Sequence, residues 1–328
     1  MNQQSLQKQS GVALVTVMII FFLVVMLASQ LLSRSTTDIE RTDWLVSEAQ
    51  AYQYALGGEA LARIILIDQF NQLKEQGLNI SPVLRPLPVY KPDNGNIAIE
   101  IVDLQGLLNL NNASATTKQA PVNALLDFFG IKAILPQIQD WIDTDSSTRA
   151  NGAEDSFYRN TFPYIRPANR FMLSPTELRA LAGIQPETFQ RLEKWTTTLP
   201  EETEINVNTA PAELFLLIKK DLDGEKIVQQ RKVRANGFES TQEFLALPEL
   251  AGEIIEDDLI TVNSSYFVFR IIARFGERNV WLYSQAHVDP NNKTISIMSR
   301  TLGKQFDINS LSDGTDLTED GQPTDTSL

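Results

Sequence analysis

Apolar residues run almost without a break from Val12 to Leu32, and no charge appears until Arg34. Thr16, Ser29 and Gln30 are the polar interruptions. At about 1.5 Å per residue the run makes a helix of roughly 30 Å, the thickness of a bilayer core. Each Leu, Ile, Phe or Val favours insertion by roughly 0.3–0.6 kcal/mol at the helix centre, so their sum outweighs those interruptions. The pattern predicts a transmembrane helix over 12–32, preceded by a polar leader, 1–11, whose one basic residue is Lys8. From Arg34 to Leu73 the chain stays rich in Ala, Leu, Glu and Gln and contains no Pro, which predicts that the same helix continues, weakened at Gly57–Gly58. That continuation argues against a removable secretory signal, for which Ala28-Ser29-Gln30 would be a poor cleavage site.

Beyond the helix, Pro82, Pro86, Pro88 and Pro92 mark an extended loop. Alternation then predicts a strand over 97–106, and three more β-rich segments follow much later, at 266–275, 280–288 and 294–302, joined by two hairpin-like connections. One early strand and three late ones predict a single small antiparallel sheet packed on the long helix. The expected class is therefore α+β. The first part of the core covers 33–105, an insertion 106–262, and the rest of the sheet 263–304. Helical spacing and capping signals place helices in the insertion at 123–142, 174–184, 186–199, 211–222 and 241–250. Ser174-Pro175-Thr176-Glu177 combines an N-cap, a proline at the first helical position and a glutamate three residues after the cap. The tail, 305–328, carries six acidic residues and neither Lys nor Arg, a composition that predicts disorder.

Inside the insertion the chain echoes itself. LLNLNNAS (107–114) and EINVNTAP (204–211) are both apolar–Asn–apolar–Asn segments followed by Ser or Thr and then a predicted helix. The second copy runs on to GFESTQEFLALPEL and resembles a helix-hairpin-helix unit. In nucleic-acid binders such a hairpin offers amides to phosphate, but here Asp221, Asp223 and Glu225 lie in the hairpin. With a net charge of −13, the chain is read as using this unit for helical packing rather than for nucleic acid.

The absence of cysteine removes thiol catalysis and thiolate metal sites, and the single histidine, His287, gives no basis for a His-based centre and is placed on a strand surface. The segment richest in chemistry is DWIDTDSSTRANGAEDSFY (140–158), which holds Asp140, Asp143, Asp145, Glu154 and Asp155 within sixteen residues. Clustered carboxylates repel one another unless a cation or solvent compensates them. Ca²⁺ takes oxygen ligands of the kind this loop supplies. With Asp143 first and Asp145 third, Glu154 falls twelfth, as in an EF-hand, but Thr148 stands where that loop needs Gly and Arg149 follows. Two readings stay open on the residues alone: a noncanonical calcium loop, and a solvated acidic loop in which Asp143 ends a helix. A pair of catalytic carboxylates would need a substrate cleft that nothing else in the sequence suggests.

A Gly before an apolar run that continues as a soluble helix resembles the N-terminus of type IV pilins and type II secretion pseudopilins. Thr16 stands at the fifth position after Gly11, where most of those proteins carry Glu. Thr16, QAYQYALGGEALA (50–62), the D-W-I-D-T-D loop with GAEDSFY (152–158), and EINVNTAP together resemble the K-type minor pseudopilins of type II secretion systems. The resemblance implies a pilin-like core interrupted by a helix-hairpin-helix, SAM-like insertion, with no enzymatic activity. It implies cleavage between Gly11 and Val12 by a prepilin peptidase, methylation of the new N-terminus, and a single-pass inner-membrane anchor with the C-terminal domain in the periplasm. It also implies calcium held by Asp143, Asp145, Glu154 and Asp155, partnership with minor pseudopilins I and J, and a place at the pseudopilus tip in support of export across the outer membrane. The rivals are a membrane-anchored competence-type DNA receptor, which needs a basic face, and an anchored periplasmic hydrolase, which needs a catalytic cleft.

Overall fold

The computed structural model describes residues 10–303 and 308, apart from 161, 163, 221, 253, 290, 291 and 293. Most of the leader and, Ile308 excepted, the acidic tail lie outside the described residues. Helix α1 (Ser10–Glu75) leads by way of the proline-rich loop to strand β1 (Gly95–Asp103). The insertion contributes short strands β2 (Leu108–Asn109), β3 (Thr196–Thr197), β4 (Ile205–Asn206) and β5 (Ile260–Thr261). Its helices are α2 (Gln119–Phe128), α3 (Leu135–Ile142), α4 (Asp155–Tyr158), α5 (Pro186–Glu193), α6 (Ala212–Ile218), α7 (Gly224–Lys232) and α8 (Thr241–Leu245). The chain then returns through β6 (Tyr266–Phe275), β7 (Arg278–Val288) and β8 (Ile295–Leu302). The main sheet has the order β1-β6-β7-β8 and is antiparallel throughout, so the earliest strand pairs directly with the first strand after the insertion.

One face of this sheet is covered by α1. Ala51, Ala55, Ala62 and Leu66 are fully buried against Ile99, Phe267, Phe269, Ile271 and Leu282. Small side chains bring the helix close to the strands. Gly58 takes this furthest, since a Cβ there would lie 2.9 Å from the side chains of both Ile97 and Ile271. α1 runs unbroken over 66 residues through Gly57–Gly58, and the close packing at Gly58 offsets part of what glycine costs in helix propensity. Next to it, the buried Glu59 carboxylate receives Arg300 from β8 at 2.7 and 2.8 Å and the Ser284 hydroxyl from β7 at 2.7 Å. Burial alone would raise its pKa, but these donors outweigh burial and hold it below the ordinary value.

The helical segments of the insertion are shorter than periodicity predicts. The helix expected over 123–142 is two, because Gly130 takes φ +70° and a 3₁₀ turn (Lys132–Ile134) intervenes before α3. Residues 174–184 form only a 3₁₀ turn, Pro175–Ala180, although the Ser174–Glu177 capping box is present. Helix α5 stops at Glu193 because Thr196–Thr197 pair with β2 instead. The helix expected over 211–222 is α6, and Pro248 closes the one expected over 241–250 after Leu245. The strand expected over 97–106 ends at Asp103. Helix α7 is not among the expected helices. Its N-cap is Asp223, whose carboxylate accepts from the Lys226 amide at 3.1 Å, so one of the acids of the hairpin is a cap. Any side chain at Gly224 would collide with the Ala212 backbone, which makes the α6–α7 crossing a close packing unit.

The sequence echo is a structural duplication. β2 pairs in parallel with β3, and β4 pairs in parallel with β5. Asn109 and Asn206 each turn the side-chain oxygen onto the amide two residues on, at 3.1 and 2.9 Å. Asn111 then clasps the backbone of Met172, accepting from its N–H at 2.8 Å and donating to its C=O at 3.0 Å. Asn208 clasps Phe238 the same way, at 2.7 and 2.9 Å. In each copy a glutamate just beyond, Glu177 or Glu243, accepts from the amide four residues before it.

Sheet and insertion meet at Asp103, which is 4% exposed. Its carboxylate accepts from the Gln105 amide (2.8 Å), the Thr209 and Ser264 hydroxyls (both 2.7 Å) and the Asn206 side chain (2.9 Å). These donors come from the outgoing chain, the second copy and the returning chain. Replacing Asp103 by Ala strands several buried donors at once and should cost about 3–5 kcal/mol, whereas Asp103→Asn, which keeps an acceptor, should cost about half as much. Denaturant unfolding of the detergent-solubilised chain measures both; equal stability of Asp103→Ala and wild type would remove the carboxylate from this role.

Candidate metal centre

The first copy is longer than the second: the clasped partners lie 61 residues apart in one and 30 in the other. The extra length is the acidic loop. It leaves the end of α3, passes through α4, and is brought back by the Asn111 clasp and by Asn169, whose amide donates to the Trp141 carbonyl at 3.0 Å. Trp141 fixes the near side of the loop, its indole N–H donating to Glu177 Oε2 at 2.9 Å and its ring standing edge-on to Tyr158 at 5.4 Å.

Asp140 and Asp143 are three apart at the end of α3, a spacing that puts both carboxylates on one face. Asp140 is completely buried, and Asp143 forms the C-cap, its amide donating to the Gln139 carbonyl. The chain then doubles back through Asn151, at φ +64°, and through Gly152, where any Cβ would collide with the Asp140 carboxylate. That turn delivers Glu154, the N-terminal neighbour of α4, into the same space at 2% exposure. Carboxylate oxygens of Asp140, Asp143 and Glu154 lie within 4.8 Å of one another. Arg149 reaches in from the loop: Nη1 donates to Asp140 Oδ1 at 2.7 Å and contacts Asp143 Oδ2, and its backbone amide donates to Asp140 Oδ2 at 3.2 Å. Neither buried oxygen of Glu154 accepts a well-formed hydrogen bond. Burial first, and then the negative charge of Asp143 and Asp140, push its pKa up.

Of the four expected ligands the fold brings together Asp143 and Glu154. Asp145 is exposed and accepts from the Ser147 amide at 2.7 Å, and the half-buried Asp155 pairs with Arg159 through Oδ2 at 2.5 Å while its Oδ1 is buried without a hydrogen bond. Asp140 takes a place that the EF-hand count does not give it, and its i, i+3 relation to Asp143 is the signal that could have found it. Three converging carboxylates, an uncompensated buried glutamate and a glycine cradle suit a hard divalent cation bound through oxygen. His287 lies on β7, half-buried, with its ring against Tyr266.

The family profile described as type II secretion system (T2SS), protein K matches residues 104–201 and 205–263. Its two parts fall on the two copies of the duplicated unit. The type II secretion system protein K of Klebsiella pneumoniae is 31% identical over 334 residues, covering 90% of this chain and 97% of that protein. The protein K of Pseudomonas aeruginosa is 30% identical over 318 residues, covering 90% and 93%. The chain belongs to the type II secretion system protein K family, the K-type minor pseudopilins. The crystal structure of the GspK-GspI-GspJ complex from the enterotoxigenic Escherichia coli type 2 secretion system contains a chain of the same fold, with a TM-score of 0.69 at 24% identity, covering 81% of this chain and all of that one. The long helix, small antiparallel sheet and helical insertion are therefore the protein K fold, and the acidic loop sits in the first of its two repeated units.

A titration follows from Glu154. Its raised pKa means the metal-free folded state binds more protons than the unfolded chain between the ordinary value of 4.5 and the raised one. Stability without metal should fall as pH rises across that window. Glu154→Gln should flatten this part of the profile relative to wild type, read as unfolding midpoint against pH in chelator.

Proposed function

We propose that this chain is a minor pseudopilin that caps the tip of a periplasmic pseudopilus and supports protein export across the outer membrane, with no enzymatic role. The observation that carries the reading is the placement of mass along α1. The apolar run, Leu14–Leu32, is exposed on one continuous helix, and Ile39, Leu45 and Val46 extend the exposed apolar surface past it. At the other end, Leu73 and Ile80 belong to the core of the insertion. One end of the helix is thus free for lipid and for lateral packing by like helices, while the other bears a bulk that would obstruct a further subunit above. Thr16 fits such a place: its hydroxyl donates to the Ala13 carbonyl of its own helix at 2.9 Å, and it brings no carboxylate for a neighbouring subunit's amino terminus. The partners are minor pseudopilins I and J, in line with the complex in which the structural relative was crystallised.

In this reading a prepilin peptidase cleaves between Gly11 and Val12, the new N-terminus is methylated, and the helix is retained as a single inner-membrane span with the remainder in the periplasm. Calcium is the cation of the acidic loop. Asp140, Asp143 and Glu154 would hold it, and Asp145 and Asp155 would join by giving up Ser147 and Arg159. Its charge would offset the repulsion among these carboxylates and tie α3 to the start of α4. The helix-hairpin-helix DNA receptor is disfavoured by the net charge of −13 and by the structural use of Asp223 as a cap.

Mixed with I and J in detergent, the full chain should form a 1:1:1 complex by light scattering and should not polymerise alone; homopolymeric filaments would contradict the tip role. The mature protein should begin at Val12 by mass spectrometry, and a start near residue 30 would mean an ordinary signal peptide. Calcium at a hundredfold excess over Kd should stabilise the chain by about 2.7 kcal/mol, with the melting difference between calcium and chelator lost in Glu154→Gln. Identical melting in both would leave a plain acidic loop.

A further inference from the structure

The guanidinium of Arg149 occupies the space between Asp140 and Asp143 that a cation shared by the cluster would need. It contacts Asp140 Oδ1 at 2.7 Å and also Asp143 Oδ2. A divalent ion reaching all three carboxylates would have to sit beside that guanidinium, because the three offer oxygens within 4.8 Å of one another and Arg149 already lies against two of them, and two cations at that distance repel. Arg149 and an ion are therefore alternatives. The side chain is free to leave, being 42% exposed while Asp140 is fully buried. The backbone has its own hold on the turn, since the Arg149 amide donates to Asp140 Oδ2 at 3.2 Å and the Arg149 carbonyl accepts from Gly152 at 2.9 Å. Withdrawing the guanidinium thus leaves the loop path in place.

A single positive charge also matches the cluster incompletely. Glu154, 2% exposed, has both carboxylate oxygens buried without a well-formed hydrogen bond, and no hydrogen bond or ion pair runs from Arg149 to it among the described residues. We propose that Arg149 is a tethered counter-ion that holds the acidic loop together in the absence of metal and competes with it, setting the calcium concentration at which the loop loads. This rests on the reading of the loop as a calcium site. A site whose competent state is only partly populated shows an affinity reduced by that fraction, so an arginine that is inserted about nine-tenths of the time weakens binding roughly tenfold.

The test is calcium titration by calorimetry of the full chain in detergent, comparing wild type with Arg149→Ala and Arg149→Gln, together with melting in chelator and in saturating calcium. Both variants should bind about tenfold tighter than wild type, melt lower than wild type in chelator, and match it in saturating calcium. Should Arg149→Ala not fold without metal, Arg149→Gln, which keeps a polar side chain of similar reach, carries the comparison. Unchanged or weaker calcium binding in the variants, with wild type binding normally, overturns the competition and leaves the calcium site standing. No binding by wild type or by either variant overturns the calcium site itself and the competition with it. Binding by the variants but not by wild type supports the competition in its strongest form.

Discussion

The Asp103 carboxylate is where the sheet and the insertion are joined, and most of the arrangement depends on it. The chain leaves the sheet at the end of β1 and comes back to pair β6 with that same strand, Asp103 opposite Phe267. For a long excursion to leave the sheet undisturbed, its two ends must stay side by side. Asp103 achieves this by accepting from Gln105 on the way out, from Asn206 and Thr209 in the second copy, and from Ser264 on the return. Ser81, after α1, adds a backbone bond to Val262 at 3.1 Å, so the end of the long helix is fastened to the same place. Because closing a longer loop costs only slightly more entropy than closing a shorter one, an excursion so fastened can carry a large domain with little penalty to the sheet.

What is legible in the sequence is whatever depends on long, regular periodicity. The apolar run, the proline-free continuation and the alternating segments at 266–275 and 280–288 specify α1, β6 and β7 because burial follows a fixed period there. Inside the insertion tertiary contacts override that signal. The helical pattern past Glu193 is not realised because Thr196 and Thr197 find partners in β2, and α7 is masked by the polar hairpin that caps it. The candidate site is half legible for a related reason. Composition marks the loop, but whether a carboxylate turns inward is decided by Asn151, Gly152 and the Arg149 side chain, none of which carries a periodic signature. Asp140, which periodicity places within a helix, is the one that lies deepest.

The duplicated unit explains how such a loop can be placed accurately on an irregular path. Two Asn residues per copy take over the work that a longer strand would do: one shapes the turn and the other clasps a distant backbone segment on both its N–H and C=O. In the second copy the clasp closes directly around α6 and α7. The first copy keeps the clasp and accommodates the acidic loop within it, so the metal-binding candidate sits on a scaffold whose closure does not depend on the loop's own conformation.

The unbroken course of α1 has a mechanical consequence. Across its 66 residues, at about 1.5 Å each, the helix reaches roughly 100 Å, and every residue also advances about 100° around the axis. The sheet holds α1 from Trp44, whose ring lies 5.2 Å from the Arg278 guanidinium, onward through Leu66, so the stretch between Leu32 and Asp43 acts as a shaft whose length fixes both the height and the compass bearing of the head relative to the apolar run. A deletion of one residue there would lower the head by little more than an ångström yet swing it by more than a quarter turn. Along this segment, azimuth is far more sensitive to chain length than elevation.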